Sequence, residues 1–202
     1  MASYGINAKD TLGVSMPKLR ALAREAGRDH DLALGLWASG IHEARILASL
    51  VDEPRLVDEA QMERWVADFD SWDVCDQVCG NLFDKTPFAF DKALAWAARD
   101  EEFVKRAGFA LMAWLAVHDK LSSDDRFVPF LSAVVRGAVD ERNYVKKAVN
   151  WALRQIGKRN AALNEAAVAA ARKIQRLDSR AARWVAADAL KELTGEAVQK
   201  RF

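Results

Sequence analysis

The sequence predicts an all-α fold of antiparallel helix pairs, and three observations lead to this prediction. Glycine (10) and proline (4) are scarce among the 202 residues and 51% of the residues are hydrophobic, which favours helices packed around a continuous core. Signals that begin and end helices recur at short intervals, and no segment shows the alternating pattern of a half-buried strand. A weak internal repeat is the third observation.

The predicted helices begin at capping residues or prolines and end near glycines or prolines. Ser15 followed by Pro17 is typical of a helix N-terminus, and Gly27 lies where that helix should end. Ser71 is expected to cap a helix that runs to Phe83. Other helices are expected to begin near residues 29, 41, 59 and 86, and further segments cover about 101–117, 124–138, 141–157, 161–176 and 179–194. Because the connections are short, consecutive helices should pack as antiparallel neighbours.

The internal repeat places a basic residue near the start of four similar helices. These segments are HEARILASL (42–50), VKRAGFALM (104–112), VKKAVNWAL (145–153) and RAARWVAADAL (180–190). The equivalent residues Arg45, Arg106, Lys147 and Arg183 are 61, 41 and 36 residues apart, and a unit at 71–83 would fill the first interval. Such spacing is typical of a HEAT-like (ARM-type) solenoid, in which the second helix of each pair lines a concave face. We therefore expect a single repeat domain over residues 1–202. An ordinary helical bundle is the alternative, because alanine-rich amphipathic helices resemble one another.

Charge is divided unevenly along the chain although the formal net charge is only +1. Residues 1–100 contain 11 basic and 17 acidic side chains, whereas residues 101–202 contain 19 basic and 12 acidic ones. Between Arg142 and Arg183, 11 basic residues face only two acidic ones, Glu165 and Asp178. This asymmetry can produce a positive face that binds DNA, although lysine and arginine also simply solvate helix surfaces.

Cysteine and histidine usage argues against a metal centre or a disulfide. Cys75 and Cys79 are the only cysteines and lie four residues apart in one predicted helix, where their geometry does not suit a bridge. The histidines, at positions 30, 42 and 118, are scattered, whereas a zinc site needs about four converging ligands. We expect both cysteines in the core. No apolar run approaches the roughly 20 residues that span a bilayer, and the N-terminus lacks a secretion signal, so a cytoplasmic protein is expected.

One predicted helix carries an acidic residue where the other repeats carry a basic one. In DFDSWDVCDQVCGNLF (68–83), Trp72 and Asp76 are one turn apart and share a face, whereas Asp73 points roughly 100° away. Lys147 and Trp151 form a second pair with the same spacing. An indole packs well against sugars and bases, and a carboxylate among cations stays ionised, although it could equally form a structural salt bridge. The other five tryptophans fit apolar helix faces and are expected in the core: Trp37, Trp65, Trp96, Trp114 and Trp184.

At these residues the chain resembles the AlkD family of DNA glycosylases, alkylation-repair enzymes built from HEAT-like repeats. The resemblance extends over nearly the whole chain, through LGVSMPKLRALARE (12–25), HEARILA (42–48), SWDVCD (71–76), FVKRAGFAL (103–111) and VKKAVNWALRQIGKRN (145–160). It implies that Asp76, Trp72, Arg106 and Trp151 form the catalytic site. Family members usually carry additional helices before the first matched motif, and a missing first unit could weaken DNA clamping.

The resemblance implies excision of cationic N3- or N7-alkylated purines from double-stranded DNA, with no metal or organic cofactor. It implies a monomer that acts on DNA in the cytoplasm, on the nucleoid in a bacterium, without a membrane partner. The basic residues expected to contact DNA are Arg45, Lys105, Lys146, Lys147, Arg154, Lys158, Arg159 and Arg183. Two alternatives stay open, a non-catalytic DNA-binding protein on the same scaffold and a repeat module that binds other proteins.

Overall fold

The computed structural model describes residues 10–202, and every regular element in this range is helical. The predicted all-α class is therefore confirmed. None of the helices in this range is long and apolar enough to cross a membrane. The prediction that the N-terminus lacks a secretion signal falls largely on residues 1–9, outside the described residues. The chain divides between Ala89 and Phe90 into two compact units, and the single domain stays a prediction.

The first unit is organised around one central helix. Its helices are α1 (Met16–Ala26), α2 (His30–Ala38), α3 (His42–Val51), α4 (Glu59–Ala67) and α5 (Trp72–Asn81), followed by a 3-10 turn at Phe83–Lys85. Helix α3 contacts α1, α2 and α5. Trp37 and Trp65 stack face to face in the core, with ring centroids 4.0 Å apart. Helix α5, which carries Trp72 and Asp76, packs against α3.

Buried carboxylates fix the helix ends of the first unit. Both Glu43 carboxylate oxygens accept backbone N–H groups of residues 12–14, at 2.8, 2.7 and 3.2 Å. The fully buried Asp52 carboxylate receives Gln61 Nε2 at 2.7 Å, and His30 Nδ1 lies 2.6 Å from its other oxygen. Because both carboxylates are satisfied, they can remain buried at the ends of helices.

Three long helices of the second unit pack side by side. It contains α6 (Ala89–Ala97), α7 (Glu102–His118), α8 (Val128–Gly137), α9 (Asn143–Ile156), α10 (Ala161–Gln175), α11 (Arg180–Leu193) and α12 (Glu196–Gln199). Phe103 contacts Tyr144 near the start of α7 and α9, and Trp114 contacts Trp151 farther along, so these two helices run parallel. Helix α9 also packs against α11. The helices α7, α9 and α11 are those that carry the repeated segments, as a repeat architecture requires.

The structure differs from the sequence predictions in several details of the helix starts. Ser15 and Ser71 occupy N-cap positions, but neither side chain forms the expected capping hydrogen bond. The segment 124–138 begins with a 3-10 turn and becomes an α-helix only at Val128, because a proline lies in the first turn of α8. The short helix α12 was not predicted.

Candidate functional site

Trp72 and Asp76 lie together on the half-exposed side of α5. The opposite side of this helix is buried against the unit core and consists of Val74, Cys75, Val78 and Cys79. Trp72 and Asp76 are each partly exposed and one helical turn apart, so the predicted shared face exists. This face presents one indole and one carboxylate at the surface of the first unit.

Asp73 has a different environment from Asp76. His42 Nε2 lies 2.8 Å from Asp73 Oδ2, and Ser71 Oγ donates to Asp73 Oδ1 at 2.5 Å. The hydrogen bond to Asp73 raises the pKa of His42 against the opposing effect of burial, and the negative charges of Asp73, Glu43 and Asp70 raise it further. Burial works to raise the pKa of Asp73, but the hydrogen bonds from His42 and Ser71 outweigh it and hold that pKa below its ordinary value. The pair ties the first turn of α5 to α3 and so fixes the direction in which Trp72 and Asp76 point.

The two cysteines are packing residues, as predicted. Both are buried, and neither forms a disulfide bond. Burial raises the pKa of the Cys79 thiol, and the neighbouring Cys75 and the negative charges of Asp76 and Asp84 raise it further. A thiol that stays protonated is a poor nucleophile and a poor metal ligand. Within residues 10–202 no group of three or more His, Cys, Asp or Glu side chains is arranged to hold a metal ion.

In the second unit, Arg106 lies at the α7–α9 interface rather than on an open surface. Only 6% of the residue is exposed, and its Nη1 donates to the Tyr144 carbonyl at 2.7 Å. Phe103 packs against the Tyr144 ring with centroids 5.4 Å apart. Arg106 therefore connects α7 to the first turn of α9, the helix that carries Trp151.

Trp151 belongs to an aromatic group that the sequence did not predict. It is half-buried and meets Trp114 edge to face, with centroids 5.3 Å apart and planes at 83°. Trp114 in turn stacks on His118 at 4.8 Å. We had expected Trp114 in the core, but it is also only half-buried. The sequence signal that could have indicated this is the position of Trp114, about two turns after Arg106, because both residues lie on the side of α7 that faces α9.

Several basic residues predicted to contact DNA are paired with acidic residues of α11. Arg154 Nη1 donates to Glu192, Arg154 Nε lies 3.7 Å from Asp188, and Lys158 Nζ is 2.6 Å from Glu192. Asn150 donates to Asp188 at 2.8 Å, so the side chains form a ladder along α9 and α11. Burial opposes ionisation of Glu192, but its bonds from Lys158 and Arg154 hold its pKa below the ordinary value. The segment from Arg142 to Arg183 is rich in basic residues, but part of its charge is offset by Asp188 and Glu192, which come later in the sequence.

The remaining residues that were predicted to contact DNA differ in whether they already bond to other groups of the protein. Arg159 donates to the carbonyls of Ala116, Asp119 and Ser122. Arg45 donates to the Asp68 carbonyl at 3.1 Å, and Lys105 contacts Asp140 at 3.3 Å. Lys147 is exposed, and within the described range it forms no hydrogen bond or ion pair. Arg183 is exposed and contacts Asp178 at 3.4 Å, and Lys146 lies over an indole ring of α11.

That indole belongs to Trp184, whose predicted place in the core is wrong. Trp184 is 42% exposed, whereas Trp37, Trp65 and Trp96 are buried as predicted. The physical reason is the register of α11, because its packing side is formed by small residues: Ala181, Ala182, Val185, Ala186 and Ala189. The structure thus brings Trp72 and Asp76 together on α5 of the first unit. In the second unit it places Arg106 on α7 and Trp151 on α9, two helices that pack against each other.

Comparison with known proteins agrees with this architecture. A solved structure described as a new family of proteins related to the HEAT-like repeat DNA glycosylases, with affinity for branched DNA structures, is 22% identical. The match covers 93% of this chain and 84% of that one, with a TM-score of 0.76. A designed armadillo repeat protein is 17% identical over 87% of this chain and 92% of its own, with a TM-score of 0.40. No protein with a curated description matches the chain.

The first of these structures shows the fold, a HEAT-like helical repeat, as the sequence predicted. The model of the family described as DNA alkylation repair enzymes matches residues 1–193. The match extends over both compact units and includes all four predicted catalytic residues. The chain belongs to the DNA alkylation repair enzyme family.

Proposed function

We propose that the protein excises cationic N3- and N7-alkylated purines from double-stranded DNA. The observation that carries this proposal is the Asp76 carboxylate beside Trp72, on the half-exposed side of a helix, in a member of the DNA alkylation repair family. A carboxylate at a DNA-binding surface repels phosphates, so affinity for DNA alone does not explain it. Positive charge that develops on a deoxyribose during base loss does explain it.

The proposed reaction needs no general acid. An alkylated purine already carries positive charge, so the N-glycosidic bond breaks with both electrons going to the base, which leaves neutral. The deoxyribose acquires oxocarbenium character, which the fixed Asp76 carboxylate stabilises while it orients a water molecule. The water oxygen then bonds to C1′ and the water proton passes to solvent. A charge pair at about 4 Å is worth roughly 4 kcal/mol at an effective dielectric near 20, or about a thousandfold in rate.

The other residues are assigned supporting roles. The indoles of Trp72 and Trp151 pack against the sugar and bases at the lesion. Arg106 acts chiefly by holding α9, and thus Trp151, through the Tyr144 carbonyl. We assign phosphate binding first to Lys147 and Arg183, which are exposed. Because they are already engaged within the protein, smaller contributions are expected from the other predicted contacts: Arg45, Lys105, Lys146, Arg154, Lys158 and Arg159.

The decisive experiment measures base release from methylated duplex DNA under single-turnover conditions. Wild-type protein should release 7-methylguanine or 3-methyladenine, and Asp76→Asn should be about a thousandfold slower. Asp91→Asn is the matched control, because it removes an exposed carboxylate elsewhere in the chain and should retain full activity. The proposal fails if wild-type protein binds DNA well but releases no alkylated base.

A second candidate function is DNA binding without chemistry. It is favoured by the structurally similar protein, which is described by its affinity for branched DNA. Asp76→Asn separates the two functions. In a protein that only binds DNA, the loss of a negative charge should strengthen DNA binding, and there is no base release to abolish. A glycosylase should in addition lose base release, so base release is the measurement that separates the two functions.

A further inference from the structure

Trp184 is the one large aromatic side chain of α11, and it stands on the open side of that helix. It is 42% exposed, more than an indole that contributes to a core. Arg180, one turn earlier, lies on the same side of α11, and the adjacent Arg183 is also open to solvent; their side chains are 90% and 59% exposed. Since the alanine-rich packing side of α11 is well filled, the exposure of Trp184 follows from the helix register and not from poor packing.

One cation lies over this indole, and a second is adjacent to that cation in sequence. Lys146 Nζ lies 5.2 Å from the centroid of the Trp184 ring. Lys147, the residue after Lys146, is exposed. A cation over one face of the ring holds the indole in place and supplies positive charge close to the other face. The surface formed by Lys146, Lys147, Arg180, Arg183 and Trp184, here called the Trp184 patch, is therefore aromatic and basic together.

Acidic residues contact the Trp184 patch but do not neutralise it. Asp178 lies 3.4 Å from Arg183, and Glu141 lies 3.9 Å from Arg180 while also accepting the N–H of Ala181. Ion pairs between such exposed side chains contribute little, so they can exchange for contacts with phosphates. Lys147 has no acidic partner within the described residues.

We propose that Trp184 stacks on an unpaired nucleobase of a DNA strand whose phosphates Lys147 and Arg183 bind. An indole face next to cations suits a base and its backbone, because every base offers a flat face and each nucleotide brings one negative charge. In an intact duplex the base faces are covered by their neighbours, so a stacking residue selects DNA with unpaired nucleotides. This inference rests on the proposed DNA binding but concerns residues of the second unit and not Asp76.

The test compares two DNAs of equal length, one fully paired and one with a gap that leaves about six nucleotides unpaired. Fluorescence anisotropy gives Kd for each variant on each DNA. Trp184→Ala should bind gapped DNA about tenfold more weakly and paired DNA less than twofold more weakly, whereas Trp184→Phe should retain most of the affinity. Val139→Ala, at a residue with a similar 48% exposure in the same unit, should change neither Kd.

Two outcomes overturn the inference. One is an unchanged Kd for gapped DNA in Trp184→Ala, and the other is an equal loss on both DNAs. Circular dichroism should show full helicity for Trp184→Ala, because the residue does not belong to the core. Unchanged DNA affinity together with altered self-association in light scattering would assign the Trp184 patch to protein contacts instead.

The same samples separate this inference from the proposed chemistry. Asp76→Asn should discriminate gapped from paired DNA as wild-type protein does. A wild-type protein that releases no alkylated base but shows the Trp184 effect would refute the glycosylase and support the Trp184 patch. Base release with no Trp184 effect would refute the patch alone.

Discussion

Two deeply buried acidic residues, Glu43 and Asp52, lie in the first compact unit, whereas two deeply buried basic residues, Lys92 and Arg106, lie in the second. In the first unit, carboxylates are buried as hydrogen-bond acceptors, with Glu43 receiving three backbone N–H groups and Asp73 receiving His42 and Ser71. In the second unit, guanidinium groups act as donors, with Arg106 and Arg159 bonded to backbone carbonyls of other segments. A carboxylate can accept several donors at once, and a guanidinium can donate to several carbonyls.

This contrast changes the meaning of the charge asymmetry in the sequence. The acidic excess before residue 100 and the basic excess after it are partly the residues that hold each unit together. Arg159 and the Arg154–Glu192 pair would count toward a DNA-binding face in the sequence, yet both are engaged inside the second unit. The charges that stay available for DNA are fewer, and the contrast between engaged and available charges can be tested.

The largest effect is expected from breaking the donor arrangement of the second unit at Arg159. Arg159→Ala removes bonds to the carbonyls of Ala116, Asp119 and Ser122 and the contact of the guanidinium with the Phe127 ring, 4.0 Å away. Leaving such carbonyls without a partner should lower the free energy of unfolding by about 3 kcal/mol.

Urea denaturation measures this loss, and Arg172→Ala is its control because Arg172 is exposed on α10. The control should change the free energy of unfolding by less than about 0.5 kcal/mol. Equal stability of the two variants would show that Arg159 is not a structural residue and would return it to the candidates for DNA binding.

The counterpart in the first unit is Glu43, where a smaller effect is expected. Glu43→Gln keeps the shape and one acceptor oxygen but loses the negative charge that strengthens the bonds to the N–H groups of residues 12–14. We expect a loss of about 2 kcal/mol in the free energy of unfolding, measured by the same denaturation. Glu165→Gln, on the exposed side of α10, should be neutral, and a neutral Glu43→Gln would contradict the role of the buried carboxylate.

The local parts of this architecture could be predicted from the sequence, whereas the pairing between helices could not. A helix is predicted to begin near residue 59, and the structure has one at Glu59–Ala67, because the start of a helix depends on neighbouring residues. The shared face of Trp72 and Asp76 follows from helical spacing alone. The ion pairs of Arg154 and Lys158 depend on which helices are neighbours, and their partners are 34 to 38 residues away in the chain.

The exposed position of Trp184 shows the same limit for apolar residues. Its spacing fits a helix whose other side is rich in alanine, and a large apolar residue there is expected to be buried. Which side of an alanine-rich helix packs inward depends on the surface of its neighbours. Alanine fills the narrow space between α11, α9 and α10, and the indole is left outside.

A pH effect near 1 kcal/mol should distinguish the histidines of the two units. The pKa of His42 is raised, so its stabilising effect is complete below about pH 6.5 and is lost as the pH rises through the folded-state pKa. The pKa of Asp73 is lowered, so its effect is present above about pH 4 and is lost at lower pH. The pair therefore stabilises the first unit most between about pH 4 and 6.5.

Chemical denaturation between pH 6 and 8 tests this prediction. The wild-type free energy of unfolding should fall by about 1 kcal/mol over this interval, and His42→Asn should abolish most of the fall. His118→Asn in the second unit, where the histidine is exposed, should keep it. A fall that persists in His42→Asn would mean that another group is responsible.

The smallest effect concerns the charges that are free to bind DNA, and it compares two lysines of the second unit. Lys147 is exposed, whereas Lys158 Nζ lies 2.6 Å from Glu192. A lysine that binds a phosphate releases about one counterion, so Lys147→Gln should reduce the slope of log Kd against log salt concentration by about 1. Lys158→Gln should reduce it by less than half as much, because a carboxylate already offsets its charge. Anisotropy titrations at several salt concentrations measure both slopes, and equal reductions would show that the ladder of α9 and α11 opens when DNA binds.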